Sequence, residues 1–238
     1  MKIIDSFLNK ITMYRLILYY LIGLLIEAIF LSLFGQLSYS TPSIVFSTLF
    51  LLLISWASNI IFAKVYKAPT NVESVYITAL ILALIINPTA NVAFLGWAAI
   101  LATASKYIVT IGKKHIFNPA VFAVAITAIV INQSANWWIG TLPMLPFVII
   151  GGILVVRKIR RPDMILSFLV FSLLTIYTFD FLKGISLVSA TQKVLFDSPL
   201  LFFSFVMLTE PLTSPPTKNL QIFYAALVGF LFAPQIHF

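Results

Sequence analysis

Residues 74–91 read SVYITALILALIINPTAN, and residues 199–217 read PLLFFSFVMLTEPLTSPPT. Each is an apolar run that stops at a polar knot built on proline. The runs themselves, 74–86 and 199–209, reach roughly 15–20 Å as helices, about half the hydrocarbon thickness of a bilayer. Proline ends a helix and pushes the residue before it out of the α region. The knots Asn87-Pro88-Thr89-Ala90-Asn91 and Thr209-Glu210-Pro211 through Thr217 therefore mark where two half-length helices stop. A third break, Asn118-Pro119, opens a helix instead, because proline suits a first turn.

Around these stretches the 238-residue chain is 61% hydrophobic and only 9% charged, with a mean hydropathy of +1.06. A soluble domain carries about a quarter charged residues, so this chain cannot cover its own surface with polar groups. Lipid must be most of its solvent. Strand-like alternation is absent, and only helices or closed barrels satisfy a backbone in hydrocarbon. The expected fold is an all-α polytopic membrane protein, a single membrane domain over 1–238. Nine apolar segments are predicted: 14–34, 43–63, 74–86, 91–109, 119–131, 142–156, 164–180, 199–209 and 220–234. Met1 to Arg15 is polar and amphipathic and leads into a long first run with no small-residue cleavage site, so it reads as an uncleaved anchor.

The loops carry the charge. Lys2, Lys10, Arg15, Lys64, Lys67, Lys106, Lys113, Lys114, Arg157, Lys158, Arg160, Arg161 and Lys218 all fall on one side if the N-terminus is cytoplasmic. Only Lys183 and Lys193 fall on the other, and the 35–42 and 132–141 loops have no charge. This is a positive-inside pattern. It explains the net charge of +8 as topology rather than nucleic-acid binding, and places the protein in the cell membrane as a multi-pass protein.

The segment order repeats. Long, long, short with a knot, medium and short over about 14–131 is followed by medium, medium, short with a knot and medium over about 142–234. The halves enter from opposite sides, which is an inverted five-plus-five repeat with its tenth helix missing, read here as a truncated chain. Paired interrupted segments in inverted halves point to a binding site near the midplane.

There is no cysteine, which excludes a thiol nucleophile and a cysteine-ligated iron–sulfur cluster within this chain. His115 and His237 both lie near helix ends, not where they could clamp a haem. No metal-ligand cluster, nucleotide fingerprint or nucleophile–base pair is present. Glu210, beside a proline and among Thr209, Thr213, Ser214 and Thr217, is either a ligand or proton-path group or a solvated turn residue. Glu27, inside the first run, is either functional, or paired to a helix neighbour or another subunit, or close enough to the interface to be wet. Glu73 reads as a helix N-terminal charge. Asn87 and Asn118 are amides before proline that could bond a planar heterocycle or cap helix ends. Trp137 and Trp138 read as an interfacial belt, Gly151-Gly152 as a packing contact.

Three stretches together resemble a known family. They are Asn71-Val72-Glu73-Ser74 through Ile86-Asn87-Pro88; Ser105-Lys106-Tyr107 with Lys114-His115-Ile116-Phe117-Asn118-Pro119-Ala120; and Ser198-Pro199-Leu200 through Thr209-Glu210-Pro211-Leu212-Thr213-Ser214-Pro215. They look like the membrane subunits B of the sodium-translocating NADH:quinone oxidoreductase and D of the Rnf complex, closest to a branch fused to a ferredoxin-reductase-like FAD domain. The resemblance implies a bound FMN or riboflavin, with Asn87, Asn118, Lys114, Glu210, Thr213 and Thr191 as its candidate contacts. It also implies an NAD(P)H- or ferredoxin-oxidising flavoprotein domain or subunit as partner, a quinone as a further candidate partner, and coupled movement of Na⁺ or H⁺. The family often esterifies its flavin to a threonine in a D-x-x-[ST]-[GS]-A-T sequence. Here Ser189-Ala190-Thr191 stands in a predicted outer loop, but Ile185 replaces the aspartate and Val188 the Ser/Thr, so a non-covalent flavin is expected.

Two functions follow. One is a flavin-binding membrane electron-transfer subunit. The other is a transporter or channel for a small polar solute or a vitamin such as riboflavin, because an inverted repeat serves transport equally well.

Overall fold

The computed structural model describes residues 8–112, 114–196 and 199–236. The start of the amphipathic N-terminus with Lys2, and also Lys113, Ser198 and His237, lie outside the described residues. Among the described residues the chain is all-α apart from one two-stranded hairpin. It divides into two compact units, with the boundary between Ile139 and Gly140. This falls between the two stretches 14–131 and 142–234.

The first unit holds α1 (Met13–Leu33), α2 (Thr41–Val65), α3 (Val72–Ile85), α4 (Val92–Ile108), the hairpin β1 (Thr110–Ile111) and β2 (Lys114–His115), and α5 (Pro119–Ile131). The second holds α6 (Leu145–Ile159), α7 (Pro162–Leu182), α8 (Leu187–Phe196), α9 (Leu200–Phe202) running into a π-helical turn Phe203–Met207, and α10 (Lys218–Phe232). All nine predicted apolar stretches are thus helical. Four are long and apolar enough to cross a membrane: Met13–Leu33, Thr41–Val65, Leu142–Ile159 and Pro162–Leu182. Val72–Ile85, Val92–Ile108, Pro119–Ile131 and Lys218–Phe232 are shorter apolar helices. Outward faces are apolar as well, with Ile26, Phe30, Leu53, Leu174 and Phe223 all more than half exposed, a surface that suits lipid rather than water.

The short helix α3 is the centre of the first unit. Every residue from Ile77 to Ile86 is buried, and a helix that is apolar on all sides belongs inside a bundle. Around it, the helices meet through small residues. Ser47, Ser55, Ser58 and Asn59 are buried on α2, Ala98, Ala99, Ala102 and Thr103 on α4, and Ala120, Ala123 and Thr127 on α5. Small side chains let helix backbones approach where lipid removes any hydrophobic drive between helices.

The C-terminal end of α3 leaves carbonyls that its own helix cannot bond. The loop after α5 supplies the donors. Asn136 N and Trp137 N donate to Ile85 O at 2.9 and 2.8 Å, and the Trp138 indole Nε1 donates to Ala83 O at 2.9 Å. Trp138 is 2% exposed, which corrects its reading as a membrane-interface residue: its indole seals a buried helix end. Trp138→Phe keeps most of the volume but orphans that carbonyl. It is expected to cost about 1–3 kcal/mol, measured as a lower thermal unfolding midpoint in detergent.

The second unit packs α10 on α7. Phe168, Phe203 and Phe232 stand with ring centroids 5.3–5.5 Å apart, in a core with Met164, Ile176 and Leu208. Gly152 on α6 lies under the Phe205 ring, so close that a Cβ would sit 2.0 Å from it. This bears out the packing role read for the glycine pair at Gly152. The expected outer loop is instead helix α8. Ser186 Oγ accepts from Ser189 N at 3.2 Å, and Ala190 and Val194, one turn apart, are buried.

Candidate functional site

The basic residues of the first unit gather at one end. Arg15 opens α1, Lys64 lies in the last turn of α2, Lys106 in the last turn of α4, and Lys114 in the hairpin. The loops at the opposite end, 34–40, 86–91 and 132–138, contain no charged residue. Antiparallel helices joined by short loops produce this sorting directly.

Consecutive helical residues point about 100° apart at 3.6 per turn, so Lys106 and Tyr107 face different neighbours. Lys106 reaches α3. Its Nζ donates to Ser74 O at 2.7 Å and lies 3.0 Å from Ser74 Oγ, while Thr78 Oγ1 donates to the same carbonyl at 2.9 Å. Tyr107 turns to α2. Its hydroxyl donates to the buried Asn59 Oδ1 at 2.6 Å, and its ring stacks on Phe62 and Tyr66, each at 5.9 Å. Glu73 pairs with Arg15, Nε to Oε1 at 3.1 Å, in the first turn of a helix capped by Asn71.

The hairpin turns at Gly112, whose φ of +63° favours glycine, and brings back His115. The imidazole is half-buried and its Nδ1 is buried without a hydrogen-bond partner. Burial first, then the charge of Lys106, holds its pKa below the ordinary value for histidine, about 6.5. The native state thus binds fewer protons at His115 than the unfolded chain as the pH falls through about 6.5, so stability present above that pH declines below it. Unfolding midpoints measured from about pH 8 to pH 5 should fall in the wild type, and less steeply in His115→Gln.

The predicted contacts are distributed as follows. Lys114 is exposed in the hairpin. Asn118 caps α5 at the same end, its Oδ1 accepting from Ala120 N and Val121 N at 3.0 and 3.3 Å. Asn87 is at the other end of α4, its Oδ1 accepting from Thr89 N at 2.8 Å and Thr89 Oγ1 at 2.7 Å. The 17 residues of α4, about 25 Å long, separate the two amides, and one flavin ring does not touch both. Asn118 thus caps a helix, as the capping alternative expects, whereas Asn87 bonds within its own turn and leaves the cap of α4 to Asn91, whose Oδ1 accepts from Ala93 N at 2.8 Å.

In the second unit, Glu210 and Thr213 are half-buried in a knot that follows the π turn, where Leu208 N donates to Phe203 O at 2.9 Å. Thr213 N and Ser214 N donate to Glu210 O at 3.3 and 3.1 Å. Arg161 Nη1 donates to Ser214 Oγ, and Lys218 pairs with Asp163 at 2.8 Å, so this knot stands at the end of the unit rich in Arg and Lys. Thr191 is elsewhere. It lies on α8, donates to Leu187 O at 2.7 Å within its own helix, and meets Tyr177 OH at 3.0 Å. Tyr177 is about 24 Å along α7 from Arg161.

Glu27 is half-buried near the middle of α1, and no described residue bonds to it. A charged acid at mid-bilayer costs about 2.5–3.5 kcal/mol on insertion scales, so Glu27 is a functional candidate. The sequence reading missed Asn59, whose signal is the polar spacing Ser55, Ser58, Asn59 on an apolar helix. It also missed Asp180, 5% exposed near the end of α7, an acid within an apolar run that the default suspicion of intramembrane acids would have found.

Compared with known proteins, the chain matches no family model, and no curated protein matches it.

Proposed function

We propose that this chain is a flavin-binding membrane subunit that passes electrons from an NAD(P)H- or ferredoxin-oxidising partner or domain. The observation that carries the proposal is the contact of Lys106 with Ser74, with the partnerless His115 Nδ1 within reach of the Lys106 charge, all drawn from the first two stretches behind the resemblance, at the basic end of the first unit. An ammonium, a hydroxyl and an imidazole nitrogen with no partner suit a phosphate and the polar edge of a planar heterocycle, so the donor set fits FMN. A bound flavin supplies redox chemistry that no side chain here has. Lys106 holds the phosphate through a charge-assisted hydrogen bond, and His115 Nδ1 bonds a ring or ribityl group. Lys114 and Asn118 belong to this end, with Phe62, Tyr66 and Tyr107 forming an aromatic wall beside it. Glu210 and Thr213 supply a polar place in the second half. The flavin is non-covalent, in keeping with Thr191 donating within its own helix.

The nine apolar segments are proposed as spans of an inverted five-plus-five repeat, with the N-terminus in the cytoplasm. Two features support this. Each unit contains a short, buried helix that ends at a proline knot, and each gathers most of its basic residues at one end. A label near Lys158 should react only from the cytoplasmic side, and labelling from outside intact cells would overturn the topology.

The test of function is the visible spectrum of the purified protein and the mass of any released chromophore. Stoichiometric flavin, reduced by an NAD(P)H- or ferredoxin-oxidising flavoprotein, is expected. A colourless protein that carries a polar solute into vesicles would establish the transporter reading instead.

A further inference from the structure

The first unit carries a groove of about 500 Å³ between α1, α2 and α3, within the range of about 300–1,000 Å³ usual for ligand sites. Leu18 and Ile22 form one wall, Leu53 and Trp56 the other, and Tyr76 and Leu80 line it from α3. Leu80 is 4% exposed, whereas Leu53 is 59% and Trp56 44% exposed. The groove therefore has a closed floor and opens sideways, onto the face that lipid would cover.

The groove also has a polar mouth. Arg15, Leu18 and Ile22 are spaced three and four residues apart, as are Glu73, Tyr76 and Leu80, so each set runs along one face of its helix. The Arg15–Glu73 ion pair consequently stands one turn beyond the groove, at the basic end. Arg15 spends Nε on Glu73, but a guanidinium carries four further N–H donors, and the side chain is 58% exposed. Lys64 lies two turns from Trp56 on α2 and is exposed at the same end. Arg15 thus offers exposed donors at the mouth, Lys64 adds positive charge at the same end, and the walls are apolar.

We propose that this groove binds one acyl chain of an anionic glycerophospholipid, with the lipid phosphate against Arg15. Apolar walls open to the bilayer select a chain that is already dissolved there. Arg15 at the mouth selects the headgroup, because a zwitterionic lipid brings its own ammonium and competes less well for the guanidinium. The proposal does not depend on flavin binding.

The test uses the full chain in vesicles containing phosphatidylglycerol or phosphatidylcholine with brominated acyl chains, which quench tryptophan at contact. Subtracting the Trp56→Phe variant isolates the Trp56 signal. Brominated phosphatidylglycerol is expected to quench Trp56 at several-fold lower content than brominated phosphatidylcholine. Arg15→Gln should abolish that preference and Arg15→Lys should retain most of it. Glu73→Gln, which releases Arg15 from its partner, should strengthen it, and this variant decides the matter should Arg15→Gln fail to fold. Equal quenching by the two lipids would mean that Trp56 merely faces the bilayer. That result, a preference unchanged in Arg15→Gln, or one weakened by Glu73→Gln, would overturn the site.

Discussion

Replacing Gly229 with alanine should destabilise the second unit by about 1–3 kcal/mol, the usual cost of overpacking. A Cβ at this position would lie 2.6 Å from Phe168 O and 3.1 Å from Ser172 N. Both are backbone atoms of α7, and the same carbonyl accepts from Ser172 Oγ at 2.7 Å, so it is held from two directions. The only relief is to push α10 off α7, which opens the core around Phe168, Phe203 and Phe232. Gly152 differs: its obstacle is the Phe205 ring, a side chain that can turn aside. Gly23 is the control. Nothing lies within 4 Å of its Cβ position, and Gly23→Ala should stabilise α1 by about 0.5–1 kcal/mol by reducing unfolded-state freedom. Thermal unfolding of the three variants in one detergent checks the order, and a Gly229→Ala midpoint equal to that of Gly23→Ala would contradict the packing described.

On the proposed function, Lys106→Met should weaken flavin binding by about 10–100-fold, since a hydrogen bond to a charged group contributes about 1.5–3 kcal/mol. Methionine keeps the chain length and lets the stem remain against α3. The loss should be larger for FMN than for riboflavin, because the ammonium is assigned to the phosphate. Titration of the apoprotein with both flavins separates the cases: an equal loss for the two would make Lys106 a structural residue that ties α4 to Ser74.

The elements that were legible in the sequence are those set by composition and proline. Helix α3 ends at Ile85 because Asn87-Pro88 follows it, and α5 begins at Pro119 because its amide is not needed in a first turn. The charge sorting was legible too, since loops of few residues leave basic side chains little choice of side. Helix α8 was not. Its ten residues are too short and too polar for an apolar-run reading, and only the cap at Ser186 with the Ala190–Val194 spacing betrays it. The role of Trp138 was hidden for a different reason: its partner, Ala83 O, is 55 residues away, and tryptophan at a loop in an apolar chain looks like an interface residue. The candidate site was half legible. Lys114 and Asn118 were singled out, but Lys106 against Ser74, and the unpartnered His115 nitrogen, depend on the packing of α3 against α4 and the return of the hairpin. The pairing of Asn87 with Asn118 failed on length alone, because a whole helix lies between them.

The bonds from Asn136, Trp137 and Trp138 to the end of α3 have a bearing on biosynthesis. The ribosome makes α3 more than fifty residues before it makes its cap. Until Trp138 leaves the exit tunnel, the carbonyls of Ala83 and Ile85 have no protein donor, and in hydrocarbon such groups cost several kcal/mol each. On the proposed insertion of these helices, the nascent α3 should stay within the translocon or near the aqueous surface until α5 has been made. Its commitment to the centre of the bundle is a late step, triggered by the arrival of the loop that closes over it. Nascent chains arrested just short of residue 138 should accordingly remain open to proteases at 86–91, and those arrested well beyond it should not.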